Sequence, residues 1–279
     1  MKKTPYVLAF LAFFLLMNVS CKKKSKSDTD PNNSSNNSNT STSPPSCVLT
    51  SYGYTSTGFY INDTYTYNTD GSVNTRVDVD TYGTITDTYS YDTYGNLTKK
   101  AQSSSSYTTY EYTSGKISKF TDYVSSAISD YNLVDYQTGK TVVKQYNTSN
   151  QLTQMTEYSF SNNNTTSTKN TYYTPSTGAI TSTFEFEYSN FDSNYSSDYF
   201  RQKTDKSILQ PYQNNPKNIT TTQIVYSSPG VVSQTNTSST SSVLTYNTSG
   251  AITKNVNSYT SSSSGSSTFT QTYNYSNCN

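Results

Sequence analysis

The sequence predicts an all-β fold: a single twisted, curved antiparallel meander of about ten to fourteen strands in repeated Tyr-rich hairpins, which could curl toward an open barrel. A two-sheet β-sandwich is the alternative. Hydrophobic residues are only 31% of the chain, but charged residues are also few, at 13%, whereas disordered chains are usually highly charged. The 29 tyrosines bring the aromatic fraction to 14%, and aromatic side chains favour pleated sheets. A short sequence motif, here called the repeated phrase, recurs after residue 47 and also indicates a repetitive β-sheet.

The first residues have the pattern of an export signal. Two lysines precede a dense apolar segment, residues 6–17, which is shorter than the roughly 20 residues of a transmembrane helix and matches a secretory signal. Residues 18–21, which end in Ser20-Cys21, resemble the lipobox of bacterial lipoproteins. The resemblance implies that the Cys21 thiol receives a diacylglycerol and that cleavage leaves Cys21 as the first residue. An ordinary secretory signal with an incidental cysteine is the alternative.

The segment after Cys21 predicts a tether. Residues 22–46 are Lys, Ser, Asn, Thr, Asp and Pro only, so they cannot bury apolar surface and should be disordered. A flexible coil of this length spans about 25–30 Å on average. The chain is therefore expected to divide into a signal peptide (1–20), a lipidated cysteine with its polar tether (21–46) and a repetitive β-sheet domain (47–279).

Two further cysteines bracket the predicted domain. Cys47 opens it and Cys278 nearly closes it, and a pair of cysteines in an exported protein is expected to form a disulfide bond. Such a bond closes a loop of more than 200 residues, which chain-entropy arguments value at about 5 kcal/mol. Two free thiols are the alternative.

The repeated phrase describes a hairpin. It consists of an aromatic residue, any residue and Tyr, then a short polar turn that ends in Gly or Asn, then one residue and an aliphatic. The alternation places both aromatic rings on one face of a strand. The Gly, replaced once by Asn150, sits where a left-handed backbone closes the hairpin, and Asn or Asp at the start of the turn can bond its own backbone. Copies begin near residues 65, 89, 110, 146, 173 and 244.

The tyrosines of the first three copies occupy equivalent positions in successive hairpins. We therefore expect their rings to form a ladder on the concave face of the sheet, which serves either as packing or as a binding surface for an extended polar ligand. These residues are Tyr65, Tyr67, Tyr89, Tyr91, Tyr110 and Tyr112.

The phrases resemble YD repeats, also called RHS repeats, with residues 91–98 as the nearest copy. Residues 52–279 as a whole are similar to the YD-repeat β-meander lipoproteins of Gram-negative bacteria, including the turn Pro216-Lys217-Asn218. The resemblance implies an open β-meander fold and an address in the outer membrane, and it implies no catalytic residues. Residues 190–216 break the pattern, and we interpret them as a long loop or a short helix from Asp198 to Leu209.

Candidate chemistry is sparse. The chain has no His, which excludes Ser/His and Cys/His nucleophile systems within it. Two i, i+2 carboxylate pairs, Asp78/Asp80 and Glu185/Glu187, could serve glycoside hydrolysis or Ca²⁺ binding. A solvated strand face shows the same pattern, and we prefer that interpretation. No metal site and no cofactor are predicted.

The charge balance excludes a nucleic-acid footprint. Before Cys47 lie six of the 19 basic and two of the 18 acidic residues, which leaves 13 basic against 16 acidic side chains in the predicted domain. A nucleic-acid-binding surface would need a basic excess.

The leading functional prediction is a non-catalytic cell-envelope lipoprotein with a structural or binding role at the outer membrane or cell surface, in a leaflet that stays open. A glycan-binding or adhesive module with exposed tyrosine rows is the alternative, and an enzyme that uses carboxylates is a third class. The expected partners are the membrane, through the lipid anchor, and a polysaccharide or a cell-envelope protein.

Overall fold

The computed structural model describes residues 47–196, 209, 213–262 and 265–278. They form one closed antiparallel barrel of sixteen strands in which each strand pairs with the next along the chain and β16 pairs with β1. The strands are β1 (Val48–Ser56), β2 (Phe59–Tyr67), β3 (Val73–Asp80), β4 (Gly83–Tyr91), β5 (Leu97–Ala101), β6 (Tyr107–Thr113), β7 (Lys116–Val124), β8 (Ala127–Gln137), β9 (Lys140–Asn147), β10 (Leu152–Ser161), β11 (Asn164–Thr174), β12 (Ala179–Tyr195), β13 (Asn214–Ser228), β14 (Val231–Tyr246), β15 (Ile252–Ser261) and β16 (Gly265–Ser276).

The predicted open meander is wrong, and so is its alternative, the two-sheet sandwich. β1 and β16 pair from Val48↔Ser276 to Thr55↔Thr270, and this seam joins the two ends of the sheet. An open meander would leave the backbone groups of both edge strands without partners, and closure removes both edges. The hairpin phrases specify neighbours along the chain only, so they do not indicate that the first strand meets the last. For the same reason the YD-repeat resemblance is a wrong guide to this fold.

Burial alternates along strands such as β2 and β14, as expected for a barrel with one covered face. On β2, Ile61, Asp63 and Tyr65 are buried, while the residues between them are exposed. On β14 the even-numbered residues from Asn236 to Tyr246 are less exposed than the odd-numbered ones. We call the covered face the inner wall and the other face the outer wall.

The turns of the repeat have the predicted chemistry. In the turn after β4, Asp92 N–H donates to the Asn96 carbonyl at 2.9 Å, and Gly95 N–H donates to the Asp92 carbonyl at 3.0 Å. Gly95 has a φ of 76°, in the left-handed region, which glycine adopts without steric cost. The turn that begins at Asn147 repeats these bonds, with Asn150 at a φ of 60°.

The second tyrosine of the phrase has a use that its ring alone does not explain. Tyr91 donates its hydroxyl hydrogen to the carbonyl of Val73 at 2.7 Å, and Tyr67 makes the equivalent bond to the carbonyl of Leu49. Both acceptors lie at the start of the preceding strand. In these two copies the position needs Tyr rather than Phe, because the hydroxyl satisfies a backbone carbonyl near a strand end.

The two ends of the barrel differ. Cys47 and Cys278 are joined by a disulfide bond, with Cα atoms 4.2 Å apart, at one end of the β1–β16 seam. We call this end, which also holds the turns after even-numbered strands, the cysteine end. The opposite end holds the turns after odd-numbered strands and is called the far end.

Several predictions fall on the limits of the described residues. Residues 190–195 continue β12 and residues 214–216 begin β13, so the strand pattern extends into the segment interpreted as a loop. Apart from Leu209, the predicted helix from Asp198 to Leu209 lies outside the described residues, as do the signal peptide, Cys21 and the tether. Within the described ranges, no helix is both long and apolar enough to cross a membrane.

Candidate functional site

The six predicted tyrosines lie on β2, β4 and β6 and face the inner wall. Tyr65 and Tyr89 are buried, and Tyr67, Tyr91 and Tyr110 pack against the same core. Burial raises the pKa of Tyr112 to about 12. Because these tyrosines sit on alternate strands, the intervening strands separate them, and Arg76 on β3 lies directly opposite Tyr65. The ladder is therefore interleaved with charged side chains.

Arg76 is the centre of a charged cluster on the inner wall. Its Nη2 lies 2.9 Å from Asp63 Oδ1 and 2.9 Å from Asp78 Oδ2, and its Nη1 lies 3.2 Å from Asp87 Oδ2. Lys100 Nζ reaches the same Asp87 oxygen at 3.2 Å. The side chains of Asp63 and Asp87 are only 6% and 2% exposed, so these charges are stable only because they are paired.

The cluster perturbs the ionisation of its members. Burial lowers the pKa of Arg76, but attraction to Asp63 and the other carboxylates outweighs this effect and raises the pKa above its ordinary value. Burial raises the pKa of Asp78, and Arg76 only partly offsets that rise. An arginine side chain does not lose its proton in proteins, so Arg76 is a permanent positive charge within the cluster.

A second carboxyl pair continues the cluster on β7 and β8. Asp122 and Asp130 are directly opposite each other. Thr108 donates to Asp122 at 2.5 Å, and Gln145 donates to Asp130 at 2.8 Å. Burial, reinforced by the neighbouring Asp130 and partly offset by the hydrogen bond from Thr108, raises the pKa of Asp122 to about 6. Asp122 therefore takes up a proton as the pH falls through about 6, well above the range of an ordinary aspartate.

The inner wall of β10–β14 has a different character. Thr156, Asn170, Phe184, Gln223 and Asn236 form one row in register across these five strands. Phe184 contacts the ring of Tyr172 edge to face, at 5.9 Å between centroids. The row and its inward neighbours carry amide, hydroxyl, aliphatic and aromatic groups but no charge. The neighbours are Tyr158, Thr168, Phe186 and Thr221 on one side and Gln154, Tyr172, Ser182 and Val225 on the other.

The inner wall remains open to solvent in part. Phe184, Gln223 and Asn236 are half-buried rather than buried. Barrels of 16 to 18 strands in porins leave an aqueous channel. The arrangement can therefore offer a ligand a charged, mainly acidic side on β2–β8 and an uncharged region around the row on β10–β14. Within the described ranges, no group of three or more His, Cys, Asp or Glu side chains is arranged to hold a metal ion.

The two predicted carboxylate pairs, Asp78/Asp80 and Glu185/Glu187, face opposite walls of the barrel. Asp78 faces the inner wall and contacts Arg76, so the interpretation of this pair as a solvated face is wrong: Val77 and Val79 are the outward residues. Glu185 and Glu187 face outward, as that interpretation requires, because Phe184, Phe186 and Tyr188 take the inner positions. On the outer wall, Glu185 Oε2 lies 3.8 Å from Lys169 Nζ on the neighbouring strand β11.

The charged cluster was missed by sequence reasoning, although a signal was present. Asp63 shares its alternation with Tyr65, and Asp87 shares its alternation with Tyr89. A carboxylate on the same face as a buried tyrosine needs a buried cation, and Arg76 is the one arginine on the connecting strand.

The outer wall is polar. Glu157, Lys169 and Glu185 stand in register near the middle of β10, β11 and β12, and Lys140 pairs with Glu157. Elsewhere the outward positions are mostly Thr and Ser. Examples are Thr84, Thr86, Thr88 and Ser90 on β4, Ser239, Ser241 and Thr245 on β14, and Thr268, Thr270 and Thr272 on β16.

Two stacked tyrosine pairs interrupt this polar surface near the far end. The ring centroids are 4.5 Å apart for Tyr107 and Tyr123 and 5.3 Å apart for Tyr131 and Tyr146. Lys99 Nζ lies 3.8 Å from the Tyr107 ring centroid, so a charge accompanies the aromatic surface here as well.

Comparisons with known proteins bear on the fold. No protein-family model and no curated protein matches the sequence. A porin-like protein from Bacteroides uniformis ATCC 8492 is similar in structure, with a TM-score of 0.56 and 13% identity over 81% of this chain and 96% of that one. A porin-like protein from Bacteroides vulgatus ATCC 8482 has a TM-score of 0.53 and 11% identity over 81% and 98% of the two chains. These likenesses replace the YD-repeat resemblance: the chain shares the closed antiparallel barrel of these porin-like proteins.

Proposed function

We propose that this chain is a non-catalytic barrel of the bacterial cell envelope, held at the outer membrane by a lipid on Cys21, whose inner wall is its binding surface. The observation that carries the proposal is the contrast between the two walls. The inner wall holds most of the aromatic rings and the buried charges, whereas the outer wall holds mainly Thr and Ser, ion pairs and the two stacked tyrosine pairs. A surface built for recognition is concave and mixes apolar with placed polar groups.

The outer wall supports a tethered rather than a membrane-inserted barrel. A transmembrane barrel presents an apolar band about 25 Å tall to lipid, and a Lys or Arg at mid-height on that band costs about 2–4 kcal/mol. Lys169 and its partners Glu157 and Glu185 occupy such mid-strand positions. The porin-like proteins with this fold support an envelope address, and the lipobox and polar segment 22–46 supply the means of attachment.

Fractionation of cells tests this proposal. The parent protein should sediment with the outer membrane, and the Cys21→Ala variant should appear in the soluble fraction with its barrel folded. If the variant stays with the membrane and resists alkaline carbonate extraction, the barrel itself is inserted and the tether proposal fails. Labelling with a radioactive fatty acid should be present in the parent and lost in the variant.

A glycan-binding role is the second candidate. The exposed tyrosine rows first expected to carry it lie on the inner wall beside Arg76, so any such binding takes place inside the barrel. Half-buried aromatic rings beside amide side chains favour this role, because tyrosine and asparagine together make adaptable contacts with polar ligands. Screening the purified protein on a glycan array distinguishes this role from a purely structural one, which predicts no bound glycan.

A further inference from the structure

The row across β10–β14 contains one aromatic ring with an amide on each side. Phe184 on β12 is directly opposite Asn170 on β11 and directly opposite Gln223 on β13. Neighbouring strands are about 4.8 Å apart, so the two amides flank the ring at the width of roughly one strand on either side. Phe186 and Tyr188, the next inward residues along β12, are buried, whereas Phe184 is half-buried, so solvent reaches its ring.

The flanking amides keep hydrogen-bonding capacity. The side-chain oxygen of Asn170 accepts hydrogen bonds from Thr156 at 2.8 Å and from Gln154 at 3.4 Å. Its NH₂ group has no hydrogen-bond partner among the described residues. The side-chain oxygen of Gln223 accepts a hydrogen bond from Asn236 at 3.1 Å, and its NH₂ group likewise has no partner among the described residues. Gln223, which is half-buried, is thus held by its oxygen and presents the two donors of its NH₂ group to the lumen, whereas Asn170 is only 4% exposed.

Charge separates this row from the rest of the inner wall. The six acidic groups on β2–β8, which are Asp63, Asp78, Asp80, Asp87, Asp122 and Asp130, outnumber Arg76 and Lys100. The charged residues of β10–β12 nearest the row, Glu157, Lys169 and Glu185, point to the outer wall. A ligand on the row therefore meets no charge beside it and an acidic wall across the lumen, which disfavours anions.

We propose that Phe184, Asn170 and Gln223 form a subsite for one sugar ring of a neutral oligosaccharide. The inference rests on the proposed role of the inner wall as a binding surface and names the ligand class. The apolar face of the sugar ring lies against Phe184, the sugar hydroxyl groups accept hydrogen bonds from the Gln223 NH₂ group, and the buried Asn170 closes the other side of the subsite. Tyr172, in edge-to-face contact with Phe184, fixes the orientation of the Phe184 ring.

Calorimetric titration of the full-length protein in detergent tests the subsite. The probes are linear hexasaccharides of glucose, xylose and mannose, with a hexamer of galacturonic acid as the charged comparison. At least one neutral hexasaccharide should bind, and the acidic hexamer should not. Phe184→Ala should weaken binding of that probe at least tenfold, whereas Glu185→Ala, which alters the adjacent outward residue, should leave it unchanged.

Two further variants protect the test against loss of folding. Phe184→Leu keeps apolar bulk but removes the flat ring, and Gln223→Glu keeps the size of the side chain but replaces its donors with a charge. Each should lower affinity for the neutral hexasaccharide while the far-ultraviolet circular dichroism spectrum matches that of the parent. The subsite is overturned if no neutral hexasaccharide binds, if Phe184→Leu binds as tightly as the parent, or if the acidic hexamer binds best. Cell fractionation of Cys21→Ala is unaffected by these outcomes, so failure of the subsite is distinguishable from failure of the tether.

Discussion

Replacement of Arg76 by Met should destabilise the barrel more than any other single charge removal on the inner wall. Arg76 lies within 3.2 Å of carboxylate oxygens of Asp63, Asp78 and Asp87. Without the guanidinium, three carboxylates remain close together in a covered region, with only Lys100 to offset them.

The expected loss is about 4 kcal/mol at pH 7.5, because removal of one partner of a buried ion pair typically costs about 3–5 kcal/mol. For a domain of this size, with a denaturant slope near 3 kcal/mol per molar urea, the unfolding midpoint should fall by roughly 1.3 M. The loss should shrink toward pH 4.5. Without Arg76 nothing offsets the burial that raises the pKa of Asp78, and protonation of the carboxylates removes their repulsion as the pH falls.

Urea unfolding followed by circular dichroism at pH 7.5 and pH 4.5 measures both quantities. Lys119→Met is the matched control, because Lys119 pairs with Glu111 at 2.8 Å on the outer wall, where the two side chains are 36% and 60% exposed. An exposed pair of this kind contributes less than about 1 kcal/mol. If Arg76→Met unfolds at the same urea concentration as Lys119→Met, or if its deficit does not depend on pH, the inner wall is not the low-polarity environment that we infer.

Three smaller perturbations follow from the same geometry. Cys278→Ser should cost up to about 5 kcal/mol of stability by freeing the loop that starts at Cys47, and peptide mapping without reductant should show the bond in the parent; two free thiols there would contradict it. Tyr91→Phe should cost about 0.5–1.5 kcal/mol by removing its bond to a backbone carbonyl, whereas Tyr94→Phe, a change at a turn residue that is 76% exposed, should cost nothing measurable by thermal melting. Asp122, with a pKa raised to about 6, contributes stability that is fully present below about pH 4 and is lost as the pH rises through about 6. Asp122→Asn should flatten the stability profile between pH 4 and 7, and an unchanged slope would count against the raised pKa.

The turns and the alternation along the strands could be predicted from the sequence because each depends on a few consecutive residues. The turn at Asp92 and Gly95 depends on a side chain that bonds its own backbone and on a residue without Cβ. The alternation of Tyr89 and Tyr91 depends only on the period of a strand. Both are properties of a few consecutive residues, and both agree with the structure.

Closure of the sheet and the content of its interior could not be read in the same way. The pairing of Val48 with Ser276 joins residues at opposite ends of the domain, and no hairpin phrase refers to it. The cluster around Arg76 likewise needs Asp63, Asp78 and Asp87 from three strands, and their spacing along the chain resembles that of solvated residues. The row at Phe184 requires the register of five strands, which the phrases leave undetermined because bulges shift several of them.

The disulfide bond at the cysteine end has a mechanical consequence. If the barrel hangs from Cys21, any pull along the tether enters the fold at Cys47 and passes through the sulfur atoms to Cys278. The load then divides between β1 and β16, which meet at the seam and are drawn in the same direction, so their shared hydrogen bonds carry little relative motion. Extraction of either strand must instead shear it past its other neighbour, β2 or β15, along the whole length of a ladder. The bond therefore makes the seam, where an opened barrel would otherwise begin to unzip, one of its most force-resistant lines.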